Sequence, residues 1–335
     1  MESRRRVNSM NVFIKKFILI GALLSITCFL LTDSSTITKS ESFSYYVNIY
    51  SQNKYLVEHE EIIILSDDDL ISYNFPGNGT KEDPYIIENF NITTTYNKAI
   101  TISTTTLSII IRDCYLSGHS YGIYISNVKD ETVEIINNTC TNNIANGINI
   151  HYTSRTVVKN NTCTNNTKGM YFIYGDEVIV SNNNCSGNSA YGLQLLHCDA
   201  GLITSNILQN NGGYGVYLAQ DVNYHVVHHN RFVDNNKGGE SQGYDTGEGN
   251  IWYDVRSSEG NYWSDWSGIN YYNIDGPAGK TDKYPLDEDG NSPIVTTETS
   301  TTSEVKIYFM LDSIVIILII LKRKIRSTKV IFKMN

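Results

Sequence analysis

The seven residues NNTCTNN stand at 137–143 and return, letter for letter, at 160–166. A mostly polar heptamer repeated after 23 residues has no use in a helix, whose apolar stripe recurs every three or four positions. It belongs to a repeat architecture, in which a fixed period decides the fold before any local propensity does. Aligned on the cysteines, the column reads Cys114, Cys140, Cys163 and Cys185 and continues through Leu208 and Phe232, in steps of 22 to 26 residues. Two positions before it stands a second column: Asn138, Asn161, Asn183, Asn206 and Asn230. A third is glycine, at Gly122, Gly147, Gly169, Gly192 and Gly215.

Each glycine opens a short alternating stretch: GIYI, GINI, GMYF, GLQL and GVYL. Further β-rich fragments, VEII, TVVK, VIVS and YHVV, lie just upstream of the asparagines. Alternation with period two means strands. Several short strands per turn and no helical segment predict an all-β, right-handed single-stranded parallel β-helix with caps at both ends. Equivalent strands then stack about 4.8 Å apart. The asparagine column is expected at a tight bend, where Asn tolerates left-handed backbone, with its amides bonded along the axis as a ladder. The cysteines are expected to point inward as free thiols, because side chains projecting in parallel from adjacent turns suit a disulfide poorly.

Composition adds the compartment. Residues 17–31, FILIGALLSITCFLL, follow Lys15 and Lys16, the order of an export signal or uncleaved N-terminal anchor. Residues 307–321 are apolar and run into LKRKIR, which reads as a transmembrane helix stopped by a basic cytoplasmic tail. Between those ends acidic residues outnumber basic ones roughly two to one, within a chain of formal net charge −9. Phosphate recognition needs a basic footprint, so nucleic acid is not an expected partner. The expected organisation is a signal or anchor at 1–32, an N-terminal cap region at 33–75 and repeats at 76–234. An aromatic C-terminal cap at 235–292, a Thr/Ser-rich stalk at 293–306, the membrane helix at 307–321 and the tail at 322–335 complete it.

Two end segments are more specific than the repeats. GNGTKEDPYIIENFNI (77–92) opens the coil and GNYWSDWSGINYYNIDGPAGKTDKYPL (260–286) closes it. With the repeats, they resemble the NosD-like β-helix family, over roughly residues 60–290. The resemblance implies a domain shared by carbohydrate-binding proteins and sugar hydrolases on archaeal and bacterial surfaces. The run between its NYWSDY-like and YPL-like motifs is shortened here to INYYNIDGPAGKTD. Trp252, Trp263, Trp266 and Tyr262 fit a lid over the exposed end of the coil better than a sugar platform.

Candidate site residues follow from the alternation. If the apolar residues of each post-glycine strand point in, the residues between them point out as one row: Tyr124, Asn149, Tyr171, Gln194 and Tyr217. Tyrosines on alternate turns, with amides between them, suit a linear glycan. The competing reading is ordinary exposed-sheet tyrosine. Asp176, Asp199 and Asp221 fall near strand ends on successive turns, at a spacing attainable for a carboxylate pair; turn aspartates are the simpler reading.

His225, His228 and His229 suggest copper but straddle a strand and a turn. DEDGN (287–291) begins like a calcium loop without the downstream Glu. No cofactor is expected, with calcium the one alternative. The expected role is non-catalytic display at the cell surface with glycan binding or adhesion, the partners being a polysaccharide and, through the C-terminal helix, the membrane. The alternatives are a polysaccharide lyase or glycoside hydrolase, and an accessory factor for metalloenzyme maturation.

Overall fold

The computed structural model describes residues 56–93 and 97–291. Three parallel sheets run the length of the coil, and every strand in them bonds to its counterpart one turn away; Tyr272–Asn273 and Thr281–Asp282 form a separate antiparallel pair. The first sheet has nine strands, from Val57–Glu58 to Tyr262–Trp263, and carries most of the cysteine column. The second has eight, from Ile62–Ile64 to Gly243–Asp245, and carries the post-glycine strands; it is called the tyrosine sheet below. The third has seven, from Tyr85–Glu88 to Val226–His228. Pairing thus starts at Val57 and reaches Trp263, so strands of the coil extend into both segments read as caps. The anticipated apolar helices at 17–31 and 307–321 lie outside the described residues. Among the described residues no helix is long and apolar enough to cross a membrane.

The interior is built of stacked columns. In the tyrosine sheet Ile100, Ile123, Ile148, Met170, Leu193 and Val216 form one, and Ile102, Ile125, Ile150, Phe172, Leu195 and Leu218 another. All are buried. Each large aliphatic side chain removed from water contributes roughly 1.5–3 kcal/mol. A change on one turn is therefore felt by the turns above and below it.

The heptamer is two corners with a strand between. Asn137 and Asn142 have φ of 56° and 54°, and Asn160 and Asn165 have 59° and 56°. These outer asparagines take the left-handed bends. Asn138, Asn161, Asn183, Asn206 and Asn230, expected at the bend itself, each follow the left-handed residue. They are buried, and freed to form the ladder: Asn161 donates its backbone N–H and its Nδ2 to Oδ1 of Asn183, at 2.9 and 3.0 Å. The same pair of bonds links Asn138 to Asn161, Asn183 to Asn206, Asn206 to Asn230 and Asn230 to Asn261. The last amide donates to the buried carboxylate of Asp282. A second ladder, not anticipated, runs along the other corner through Asn143, Asn166, Asn188, Asn211, Asn235 and Gln242, whose Nε2 donates to Asp265.

Register corrects one column. Cys140, Cys163, Cys185, Leu208, Phe232 and Trp263 lie in line, but Cys140 pairs with Leu116 rather than with Cys114. Cys114 instead heads the asparagine ladder. Its N–H donates to Asn138 Oδ1, and its Sγ lies 3.3 Å from the carbonyl of Arg112, where later turns place an amide nitrogen. The five described cysteines are buried free thiols, and burial pushes Cys163 well up.

The glycine column answers to the cysteine column. A Cβ on Gly169 would lie 2.9 Å from Cβ of Cys185 and 2.4 Å from the carbonyl oxygen of Gly192. Here glycine serves close approach between turns. Gly77 serves conformation: its φ is 109°, and a Cβ there would lie 2.0 Å from Pro84 O. The helix Asp67–Ser72, capped by Ser66, sets Leu70 on the first turns, while Asp67 binds Thr105 and Thr106.

At the far end Phe232, Trp263 and Tyr272 stack with ring centres 4.0 Å apart, and Trp252 packs beside them. Trp252 and Trp263 are buried, each indole N–H donating to an aspartate, Asp245 and Asp282 respectively. The lid reading holds for these two. Trp266 is only partly buried, and Tyr262 lies under Arg231.

Candidate functional site

The parallel register sets Tyr124, Asn149, Tyr171, Gln194 and Tyr217 in one row and extends it to Thr101 and Tyr244. A flanking row, one position before Ala99 or a glycine of the column, holds Lys98, Tyr121, Asn146, Lys168 and Tyr191, with Tyr214 in the same position on the next turn. A third row passes through Ser103, Ser126, His151, Ile173 and Leu196. The flanking residues were not singled out from the sequence, although the motif YGIYI, KGMYF, YGLQL, YGVYL carried them in plain view.

The rings do not present open faces. Tyr217 lies between Tyr191 and Tyr244, at 4.7 and 4.6 Å, each within 13° of parallel. Lys98 Nζ sits 3.4 Å from the centre of the Tyr124 ring and Lys168 Nζ 4.2 Å from that of Tyr171. Such cation–π contacts contribute about 0.5–2 kcal/mol and fix the ammonium groups in place. Ring edges, hydroxyls and ammonium groups are what this surface offers. Asn149 is 1 % exposed, and its amide lies within a chain: Asn146 Nδ2 donates to its Oδ1, and its Nδ2 faces His151 Nε2 at 2.8 Å. The amide expected to face a ligand is thus covered by its neighbours. Gln194 Oε1 is buried with no hydrogen-bond partner among the described residues.

Burial lowers the pKa of Lys98 and of Lys168, and burial together with the Lys98 charge lowers that of His151. Burial, with the Asp275 carboxylate bonded to its hydroxyl, lifts Tyr214 to about 12. The two amines and His151 therefore share a partly water-excluded surface that disfavours added positive charge.

The three aspartates are not one cluster. Asp176 and Asp199 belong to a polar ladder on an outer corner: Asp176 Oδ1 accepts the N–H of Asp199, and Asp199 Oδ1 accepts the N–H of Asn223. Asp221 stands two residues away from that column, with its carboxylate 3.1 Å from His197 Nδ1. His197 in turn stacks on Tyr174, and Tyr174 on Tyr152, in an exposed aromatic column at left-handed positions.

The three histidines do not converge on one point either. His225 is fully buried, its Nε2 without a partner among the described residues, and burial pushes its pKa down to about 4. His228 and His229 meet at their Nδ1 atoms, and His229 Nε2 lies 2.8 Å from Glu259. In the DEDGN segment the carboxylate of Asp287 accepts from Asn291 and closes a turn.

A parallel β-helix with two internal amide ladders and one broad tyrosine-rich face is the class of protein these features define. The family model described as "Periplasmic copper-binding protein (NosD)" matches residues 34–268, and the chain belongs to that family. No curated protein shows significant sequence similarity to it. Among solved structures, it is similar to the A-module of an Azotobacter vinelandii mannuronan C-5 epimerase, at 15% identity and TM-score 0.35, over 53% of this chain and 56% of that one. An alginate lyase from Paenibacillus sp. gives 14% and 0.39, over 62% and 88%. The enzymatically active domain of a bacteriophage CBA120 tailspike protein gives 8% and 0.40, over 62% and 40%. The chain thus spans about half the length of the first of these.

Copper, named in the family's description, was tested against the donors present. Among the described residues no group of three His, Cys, Asp or Glu side chains is arranged to hold a metal ion. A copper ion prefers imidazole or sulfur ligands converging on one point. The buried ring of His225, the straight file of thiols and the His228–His229 pair beside Glu259 do not supply that. The described donors do not fit the ion.

Proposed function

We propose that the coil is an exported, non-catalytic scaffold that binds a polysaccharide along the tyrosine sheet. The observation that carries this is the row from Tyr124 to Tyr244, flanked by a second row of tyrosines, lysines and amides on a rigid surface. Recognition would run through phenol hydroxyls and ammonium groups bonded to sugar oxygens, rather than through rings stacked on sugars. Export agrees with the periplasmic description of the family and with the apolar segment that follows Lys15 and Lys16.

The test is binding of the full chain to a polysaccharide panel, with products followed in parallel. Binding without release of reducing ends or unsaturated sugars is expected, weakened about tenfold or more by Tyr171→Ala. Product release that disappears in Asp199→Asn would instead establish a polysaccharide-cleaving enzyme. A chain that binds nothing on the panel would leave the proposal without support.

A further inference from the structure

The charge on the tyrosine sheet runs against that of the rest of the chain. From Lys98 to Leu196 the three outward rows contain two lysines and one histidine, and no aspartate or glutamate. The nearest acidic side chains along the sequence, Asp130, Asp176 and Asp199, lie beyond the corner. This occurs in a chain of net charge −9. Lys98 and Lys168 form no ion pair among the described residues, in contrast to Lys159, whose Nζ lies 3.5 Å from Glu134 on the third sheet.

The two ammonium groups are also placed, each held over a tyrosine ring. Lys98 and Lys168 stand three turns apart in the flanking row, so their backbones are roughly 14 Å apart along the axis, while the two rings they cover are two turns apart. Between them stand Asn149 and His151, and beyond Tyr171 comes Gln194 with its unpartnered oxygen.

Resting on the glycan-binding reading above, we infer that the ligand of this face is an acidic polysaccharide, whose carboxylates are received by Lys98 and Lys168. A fixed ammonium in a partly dry setting makes a strong charge-assisted hydrogen bond to a carboxylate. The two positions select a chain with anionic groups at regular intervals. A neutral glycan offers either lysine only an uncharged oxygen, a weaker acceptor than a carboxylate. General attraction does not account for such binding, since the protein as a whole repels a polyanion.

The experiment uses the full chain and three polyuronates (polygalacturonate, polymannuronate and hyaluronate), each paired with its methyl ester, which keeps the backbone and removes the charge. At least one acid should bind at least tenfold tighter than its ester, and the difference should shrink as salt rises. Lys98→Met and Lys168→Met, which keep the apolar stem, should each weaken it about tenfold, while the double variant abolishes the preference. Lys98→Arg should retain it and so separates lost charge from lost packing, and Lys159→Met should change nothing. Equal binding of acid and ester, insensitive to the lysines but weakened by Tyr171→Ala, would overturn this inference and leave the glycan reading standing. Failure of every acid and every ester to bind would overturn both.

Discussion

At the residue scale, a single amide serves several groups at once. Asn183 accepts two bonds from Asn161, gives two to Asn206 and donates to the carbonyl of Val158. Asn183→Ala strands buried donors and an acceptor together, each costing about 1–3 kcal/mol. A loss of at least about 3 kcal/mol is expected in denaturant melts. Its neighbour Asn182 has φ of 56° and only has to bend, so Asn182→Gly should be nearly neutral. Comparable losses from the two would refute this division of labour.

His225 makes a second prediction at this scale. Its folded pKa of about 4 lies below the unfolded value of 6.5, so the unfolded chain takes up the proton first. The contribution is complete above pH 6.5 and is lost as pH falls towards 4, by up to about 3 kcal/mol. Asp282 acts in the opposite sense: burial raises it to about 6 against its hydrogen bonds, so the fold gains from protonating it between that pH and 3.8. His225→Leu should therefore flatten the acid side of the stability profile. An unchanged slope below pH 6.5 would show that another group sets it.

At the element scale, the turn rather than the strand is the unit, because each strand is completed only by its counterpart on the next turn. Gly169→Ala pushes a Cβ against the carbonyl of Gly192 and against Cys185. A destabilisation of about 3 kcal/mol or more is expected from overpacking, and Cys185→Ala should relieve little of it, because the tighter contact is with backbone. Full rescue by that second change would mean that the side chain alone sets the limit.

The same scale explains what was legible in the sequence. Strands, ladder and outward row were readable because stacked turns repeat residue types in register, and NNTCTNN repeats both corners at once. Assigning Cys114 to the wrong column was a two-residue error that its step of 26 betrayed, since the neighbouring steps are 22 to 24. The second ladder was as legible as the first, since Asn143, Asn166, Asn188, Asn211 and Asn235 recur at the same steps. The placing of the ammonium groups was not legible, because whether Lys98 reaches towards Tyr124 depends on a rotamer and a neighbouring turn. Asn149 was misjudged for a related reason: period two says which way a side chain starts, and its neighbours decide whether it meets solvent.

At the scale of the whole molecule, a solenoid is only as sound as its ends, where core and strand edges face water. Trp263, wedged between Phe232 and Tyr272 and bonded to Asp282, closes one end. Trp263→Ala should cost about 3–5 kcal/mol and promote concentration-dependent association, visible in light scattering. A variant that stayed monomeric with an unchanged melting point would show that Trp252 alone suffices.

Both amide ladders finish on aspartate, one directly at Asp282 and the other through Gln242 at Asp265. An asparagine hands on what it receives, because it carries an oxygen to take and a nitrogen to give. A carboxylate has nothing to give. Exchanging nitrogen for oxygen at that place works as a full stop, so the number of coils is written into two side chains. Any duplication that lengthens this molecule has to be inserted upstream of both.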